Sequence, residues 1–238
     1  MKNNLNQKII KLINYYNISN LNNIFSNLPV NRLDKKTSIL LNGNKSEKLK
    51  QLKLKIEKIK NCELKKNASQ IVFAGGNSSA KIMIVGEGPG AQEDQQGLPF
   101  VGRAGQLLDK MLSAINLDRK KVYITNVVNY RPPSNRKPTP EEIQRYLPFL
   151  NAHIEIIQPK ILVLMGSTAL NAILGDIGVI SKVRGKWFEK NYNSLTVWTI
   201  ASFHPAFLMR QPDQKKMSWI DLKMVRQKIK ELKIKIEK

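Results

Sequence analysis

Short apolar runs alternate with helical spacings through the middle of the chain. Four runs have the length and continuity of buried strands, at residues 81–85, 122–128, 161–165 and 195–201. Helical spacing or helix-capping residues occupy the stretches between them, at 104–115, from Thr139 onward and at 167–174. Strands that alternate with helices predict a mostly parallel sheet covered on both faces. We therefore expect an α/β fold, a three-layer sandwich around a central four-stranded sheet.

Amphipathic stripes flank this central part. Apolar residues recur at helical spacing among the lysines of residues 45–66, at Leu49, Leu52, Ile56 and Ile59. The same spacing recurs near the C-terminus, at Leu222, Val225, Ile229, Leu232 and Ile236. Upstream, residues 9–16 predict another helix face and residues 29–32 a turn. We expect an N-terminal helical, Lys/Asn-rich extension at 1–60, a central α/β domain at 61–220 that holds the functional residues, and a basic C-terminal helix at 221–238 that packs on it.

The charge of the chain favours a polyanionic partner. Its 40 Lys and Arg against 18 Asp and Glu give a net charge of +22. Such an excess indicates nucleic acid first and an anionic membrane surface second. Codon drift in an AT-rich genome also enriches Lys, Asn and Ile, so the charge alone does not decide between these explanations.

Cysteine content and hydropathy narrow the class of protein. The chain has one cysteine, Cys62, which excludes a disulfide framework and a metal site built from several thiolates. The first residues have no continuous apolar stretch typical of a secretory signal, and no run approaches the length of a membrane span. We expect a soluble, cytoplasmic (bacterial cytosol or nucleoid) monomer without a membrane partner.

Three unusual loops each follow a predicted strand, at 86–90, 131–138 and 202–210. Ligands bind at the carboxyl ends of strands in such sheets, so these loops predict one shared site. The glycines of the first loop let a ligand approach the backbone closely beside Glu87. This loop is not a dinucleotide fingerprint, because residue 91 is alanine and Pro89 lacks an amide. A nucleotide-dependent oxidoreductase is therefore disfavoured.

Individual residues in these loops carry candidate chemistry. Phe100 lies in a loop between glycines, where it could stack on a planar ligand or belong to the core. Asn126 interrupts an apolar strand, and its amide must find partners either in a ligand or in the protein. Of the two histidines, His204 at a strand end is a better catalytic candidate than His153 on a predicted helix.

Several segments together resemble the family 4 uracil-DNA glycosylases. The matching residues are Gly86–Gly90 with Glu93-Asp94, the stretch 96–108 (QGLPFVGRAGQLL), the stretch 123–128 (YITNVV), Arg131-Pro132-Pro133, Asn135-Arg136 and His204-Pro205-Ala206-Phe207-Leu208. They occur in the family's order and spacing from about Cys62 to Trp219. The resemblance implies the uracil-DNA glycosylase-like fold and hydrolysis of the N-glycosidic bond of deoxyuridine, which leaves an abasic site for base-excision repair.

The resemblance also implies roles at the base. Phe100 matches the ring that stacks on a flipped base, and Asn126 matches the amide that reads the edge of uracil. Glu93 matches the residue that crowds uracil C5, with Gly86 and Gly88 beside the substrate. His204 would donate to uracil O2, whereas Glu87 and Asn135 are linked to the hydrolytic water.

The partner implied is uracil-containing DNA, single- or double-stranded. An apolar tip at the loop after His204 would fill the gap left by the flipped base, and basic residues would bind phosphate. The implied DNA-binding residues are Arg131, Arg136, Leu208, Met209 and Arg210.

The chain departs from the family where most members hold a 4Fe-4S cluster with four cysteines. Cys62 matches one of them, whereas Ile59, Tyr130 and Tyr146 occupy the other three places. One thiolate cannot hold such a cluster. The segment 62–68 resembles the start of a cluster-free branch, so we expect no metal and no cofactor.

Two rival functions remain open. A related glycosylase could prefer hypoxanthine or xanthine, whereas a covalent uracil trap is disfavoured because residues 134–139 contain no histidine insertion. A non-catalytic basic DNA-binding protein would need the charge and the helices, but not Glu87, Asn126 and His204 together.

Overall fold

A computed structural model describes residues 39, 41–192 and 195–235. The predicted helix face at 9–16 and the turn at 29–32 lie outside these residues, as does Ile236 of the C-terminal stripe. Ile39–Lys238 form one compact unit.

Helices and strands alternate along the described chain. The helices are α1 Lys45–Glu57, α2 Glu63–Asn67, α3 Ala91–Gln96, α4 Arg103–Ser113, α5 Pro140–Ile157, α6 Ser167–Leu174, α7 Ile180–Val183, α8 Pro205–Arg210 and α9 Lys215–Glu231. The strands are β1 Gly75–Gly76, β2 Ile82–Gly86, β3 Tyr123–Asn126, β4 Ile161–Met165, β5 Trp187–Tyr192 and β6 Leu195–Ser202. Short 3-10 turns occur at Arg119–Lys121, Pro133–Asn135 and Pro212–Gln214.

The sheet among these residues has six strands in the order β1-β3-β2-β4-β6-β5. Its four central strands, β3, β2, β4 and β6, are parallel and are the four predicted from sequence. The predicted strand number was wrong, because β1 and β5 add antiparallel edges. β1 consists of two glycines and β5 mixes charged and aromatic residues, so neither has an apolar run.

Alternate residues of the central strands point into two separate cores. Along β4, Leu162 and Leu164 join the core that contains α1, α5 and α6. Ile161 and Val163 join the core formed with α4, α8 and α9. Helices therefore cover both faces of the sheet, as the alternation of strands and helices predicted.

Helix boundaries follow local capping. Thr139 accepts a hydrogen bond from the Glu142 amide (3.2 Å), and Glu142 accepts one from the Thr139 amide (2.8 Å). This capping box confirms the predicted start of α5, with Pro140 in the first position. The predicted helix across 45–66 is instead two helices, α1 and α2, separated by residues 58–62.

The C-terminal helix α9 packs on one face of the sheet, beside β6 and β5. Its predicted stripe is confirmed at Leu222, Val225 and Ile229, which are buried. Lys228 of the same helix places its ammonium 5.3 Å from the ring of Trp187 and 4.4 Å from that of Trp198. These cation–π contacts join α9 to β5 and β6. Within the described residues, no helix is long and apolar enough to cross a membrane.

Candidate active site

The three strand-end loops converge on one cavity of about 190 Å³. It will be called the pocket, and its lining includes Glu87, Gly88, Pro89, Gly90, Glu93, Phe100, Ala104, Asn126, Asn135, Arg136, His204 and Ala206. It lies at the carboxyl ends of β2, β3 and β6, as the sequence predicted. A larger cleft of about 570 Å³ includes residues at the start of β2 and beside β4, but half of its lining residues are lysines. Those lysines are suited to binding anions, whereas the pocket combines carboxylates, amides, an aromatic ring and an imidazole.

Asn126 and Phe100 meet over Gly86. Gly86 is the register partner of Asn126 across the β2–β3 ladder. A Cβ on Gly86 would collide with the Asn126 amide oxygen and with the Phe100 ring, so glycine permits this close approach. Asn126 is buried, and within the described chain its side-chain amide has no hydrogen-bond partner. The amide therefore remains available to a ligand in the pocket.

The backbone of the Phe100 loop is held by hydrogen bonds from Arg119. Phe100 has a positive φ of 55°, which is uncommon for a residue with a side chain. Arg119 donates to the carbonyl of Pro99 (3.0 Å) and to that of Phe100, and its guanidinium also pairs with Asp109 (2.7 Å). The Phe100 ring stacks near the His204 imidazole, with 5.5 Å between centroids and 28° between planes. Sequence analysis missed Arg119, because nothing near it in the chain indicates this contact.

The carboxylate of Glu93 binds backbone amides of the glycine-rich loop after β2 and of the segment after Phe100. One of its oxygens accepts from the Gly90 amide (3.1 Å) and the other from the Gly102 amide (2.8 Å). Glu93 lies in the first turn of α3. Its side chain therefore joins the loop after β2 to the segment that carries Phe100, and it is fixed at the wall of the pocket.

Glu87 follows β2 directly and accepts a hydrogen bond from the hydroxyl of Thr168. Thr168 belongs to α6, which follows β4, the strand next to β2. Sequence analysis also missed this residue, since it lies far from Glu87 along the chain.

His204 caps the N-terminus of α8. Its Nδ1 accepts from the Ala206 amide at 3.1 Å, so in the neutral ring the proton is on Nε2. Burial lowers the pKa of His204 to about 4, and the positive charge of Arg210 acts in the same direction, whereas Glu93 opposes it. At neutral pH the ring is therefore uncharged and presents an Nε2–H donor.

The loop after β3 carries Asn135. Arg131 donates from Nε to the Asn135 side-chain oxygen at 2.8 Å, and Arg136 pairs with Glu142 through two bonds of 2.8 and 2.7 Å. Pro133–Asn135 of this loop form a short 3-10 turn, in which Ser134 has a φ of 53°. Asn135 has a φ of 56°, a left-handed conformation that asparagine tolerates better than most residues.

The expected apolar tip after His204 requires a correction. Leu208 is 1% exposed and belongs to the core on the α9 face of the sheet. Because the segment is the helix α8, one of its faces packs on the core, and Leu208 lies on that face. Met209 is half-buried and Arg210 is exposed. Leu208 therefore supports α8, and only its two neighbours remain candidates for DNA contact.

Comparison with known proteins decides the family. The profile of the uracil DNA glycosylase superfamily matches residues 73–225, a span that contains every lining residue of the pocket. The chain belongs to the uracil-DNA glycosylase superfamily.

Curated relatives include type-4 and type-5 uracil-DNA glycosylases. The type-4 uracil-DNA glycosylase of Archaeoglobus fulgidus is 39% identical over 183 residues, which cover 75% of this chain and 92% of the relative. That of Thermotoga maritima is 44% identical over 160 residues, or 66% and 80% of the two chains. The type-5 uracil-DNA glycosylase of Pyrobaculum aerophilum is 31% identical over 148 residues, or 55% and 63%.

A second region, the Cys62 corner, consists of Ile59, Cys62, Tyr130 and Tyr146. These are the positions where the resemblance predicts cluster cysteines in most type-4 members. The Cys62 sulfur lies 3.3 Å from the Tyr146 hydroxyl. Tyr146 is fully buried and Tyr130 nearly so, and Ile59 packs against the same core. Burial raises the pKa of Tyr130 to about 12, with smaller contributions from Glu57 and Cys62. Protonated phenols and one thiol do not fit a four-thiolate iron–sulfur cluster.

Proposed function

We propose that this chain removes uracil from DNA by hydrolysing its N-glycosidic bond, which leaves an abasic site. One observation carries the proposal: the amide of Asn126, an aromatic ring and a neutral imidazole donor face the same pocket. A flipped base requires these three kinds of group, for edge reading, stacking and stabilisation of the leaving anion.

Asn126 selects uracil by its edge. Its side-chain oxygen accepts from uracil N3–H, while its NH₂ donates to O4. Cytosine presents the opposite pattern at both atoms, and a buried site rejects a base that leaves its polar groups unpaired.

Thymine is excluded by shape at C5. Glu93 stands at the wall of the pocket and is held by two backbone amides, from Gly90 and Gly102. A side chain fixed in this way cannot move aside for the methyl group of thymine. Phe100, whose carbonyl is held by Arg119, supplies the stacking surface for the ring of the base.

Bond cleavage sends negative charge onto uracil O2. His204 donates to O2 from Nε2, since Nδ1 already accepts from Ala206. The neutral ring can stabilise the anion without first losing or gaining a proton. This is electrostatic stabilisation aimed at charge that develops only in the transition state.

Water then forms the new bond to the sugar C1′. Glu87 accepts a proton from this water, while Asn135 positions it. The assignment follows from chemistry, because an amide is not a base and the Asn135 oxygen already accepts from Arg131. The carboxylate of Glu87 has one oxygen bound to Thr168, which leaves the other for the water.

DNA binding uses the strongly positive chain around the pocket. Arg131, Arg136 and Arg210 bind phosphates, and Met209 contacts the gap left by the flipped base. Arg136 is the weakest of these candidates, because its guanidinium already pairs with Glu142. Such binding depends on phosphate charge and falls with added salt.

The chain belongs to the cluster-free branch of type-4 enzymes and needs no metal for excision. Supporting this, the Cys62 corner is filled by two buried tyrosines and Ile59. The reaction is hydrolysis, and the charges that it develops are met by the side chains of the pocket.

The proposal is tested with an oligonucleotide that carries one uracil, followed by alkaline cleavage of abasic sites. We expect a break at the uracil position and none in matched oligonucleotides with thymine or cytosine there. Cleavage only at hypoxanthine or xanthine would favour a shifted base preference. A mobility shift of plain duplex without any cleavage would favour a non-catalytic DNA-binding protein.

A further inference from the structure

The turn between β4 and α6 and the first residues of α6 contact the segments that carry His204 and Glu87. The Gly166 amide donates to the Ser202 carbonyl at 2.9 Å, at the end of the strand that precedes His204. Gly166 has a φ of 94°, and a Cβ there would lie 3.0 Å from the Cβ of His204. Two residues later, Thr168 donates its hydroxyl to the Glu87 carboxylate.

We propose that Thr168 is a positioning residue for catalysis, which holds Glu87 in the orientation that activates the hydrolytic water. This inference rests on the proposed function of the pocket. It adds a group outside the sequence motifs to the chemistry of the site.

The contact is directed at Glu87 and is not a local helix cap. Hydroxyls at helix starts commonly bind backbone amides of their own first turn. The Thr168 hydroxyl instead reaches a carboxylate 81 residues away in sequence. The cap position of α6 is Gly166, which has no side chain for capping.

Burial and stiffness make Thr168 suited to this role. Thr168 is 8% exposed, so bulk water competes little for its hydroxyl. β-branched side chains in helices have few χ1 rotamers, so the hydroxyl is held in place. A free carboxylate rotates about its side-chain bonds, whereas Glu87 is fixed through one oxygen and presents the other. Fixing a reacting group in this way lowers the entropy lost in reaching the transition state.

The first test is Thr168→Val, which keeps the shape and removes the donor. Loss of a hydrogen bond to a charged group predicts a fall of about ten- to hundredfold in the single-turnover rate of uracil excision. Affinity for uracil-containing DNA should stay near that of the parent. Thr168→Ser keeps the hydroxyl and should retain most of the rate. Thr199→Val is the matched control, since Thr199 is buried on β6 and does not line the pocket.

A double-mutant cycle separates positioning from a purely structural role. If Thr168 acts through Glu87, Thr168→Val should cause no further loss in the Glu87→Ala background. Multiplying losses would overturn the inference, as would a parental rate in Thr168→Val or an equal loss in Thr199→Val. Absence of uracil excision by the parent protein would instead refute the proposed function itself. Thermal unfolding of every variant identifies any loss that comes from misfolding.

Discussion

At the pocket, the side chains of Glu87, Glu93 and His204 are held by hydrogen bonds, whereas at the Cys62 corner the side chains are held mainly by packing. His204 accepts from a backbone amide and Glu87 from the Thr168 hydroxyl of α6. At the corner, Tyr130 and Tyr146 are buried, and the Tyr146 hydroxyl lies against the Cys62 sulfur. Hydrogen bonds fix the direction of a group, whereas packing fixes mainly its volume.

This difference indicates that the residues proposed for catalysis and the residues that stabilise the Cys62 corner are separate sets in this fold. The pocket residues come from strand-end loops and the helices beside them, all inside the span matched by the superfamily, while Cys62 lies before that span. None of the four residues of the Cys62 corner lines the pocket. Replacements at the pocket should therefore change rate, and replacements at the corner should change stability.

The largest expected effect is that of His204→Ala. Loss of one donor to a developing oxyanion typically lowers the rate by roughly 10²–10³-fold. Single-turnover excision measures this loss, and DNA affinity should change far less. His153→Gln is the matched control, since His153 lies on α5 and does not line the pocket. Equal rates for His204→Ala and the parent would remove His204 from the mechanism.

Asn126→Ala should have the next largest effect. Two hydrogen bonds to the base are lost, each worth about 0.5–1.5 kcal/mol, so excision should fall by about ten- to hundredfold. Binding to undamaged DNA should stay near normal, because phosphate contacts dominate it.

Asn129→Ala is the structural comparison for Asn126. The Asn129 amide donates to the carbonyls of Val72 (3.1 Å) and Phe73 (3.3 Å), away from the pocket lining. We expect a loss of stability without a selective loss of excision by the folded protein. Similar excision defects in the two variants would argue against edge reading by Asn126.

The free energy of unfolding should fall as the pH drops below neutral, because the pKa values of both histidines are lowered in the folded protein. Burial lowers the pKa of His204 to about 4 and that of His153 to about 3, from an ordinary value of 6.5. Below that ordinary value the unfolded chain binds protons that the folded chain does not. Their contribution is therefore fully present above pH 6.5 and is lost as the pH falls toward 4 and 3.

Urea unfolding between pH 7 and pH 4.5 measures this dependence, at roughly 1.4 kcal/mol per pH unit for each histidine. His153→Gln should reduce the slope while leaving excision intact, whereas His204→Ala should reduce both the slope and the rate. An unchanged slope in both variants would contradict the assignment of buried neutral histidines.

The smallest effects on excision should come from the Cys62 corner. Tyr146→Phe removes the contact with Cys62 and should cost about 0.5–1.5 kcal/mol of stability. Cys62→Ser should leave excision almost unchanged, and EDTA should not inhibit the parent protein. Protein purified anaerobically should be colourless. Stoichiometric iron and sulfide, or loss of activity that a metal restores, would show that the corner serves more than packing.

Much of the fold could be predicted because its central strands are continuous apolar runs. The start of α5 was also predictable, since Thr139, Pro140 and Glu142 form a local capping signal. By contrast, α3 has the sequence AQEDQQ, which has no apolar stripe. The glycines of β1 also give no strand signal, because their pairing depends on a partner strand far along the chain.

The site was predictable where a residue type is unusual for its position. Asn126 in an apolar strand and His204 at a strand end stand out in the sequence itself. Arg119 and Thr168 do not stand out, because their roles come from contacts across 19 and 81 residues of chain. Leu208 was misassigned for a related reason: a short loop and a short helix look alike in sequence, but only the helix turns Leu208 into the core.

The contact of Lys228 with two indole rings has a consequence for the tryptophan fluorescence of the protein. All three tryptophans of the chain, Trp187, Trp198 and Trp219, lie on β5, β6 and α9, and none lines the pocket. Lys228 contacts two of them and Lys223 lies 6.0 Å from the ring of the third. Intrinsic fluorescence therefore reports whether α9 is packed on this face of the sheet. Because no tryptophan lines the pocket, base flipping is better followed with a fluorescent base in the DNA.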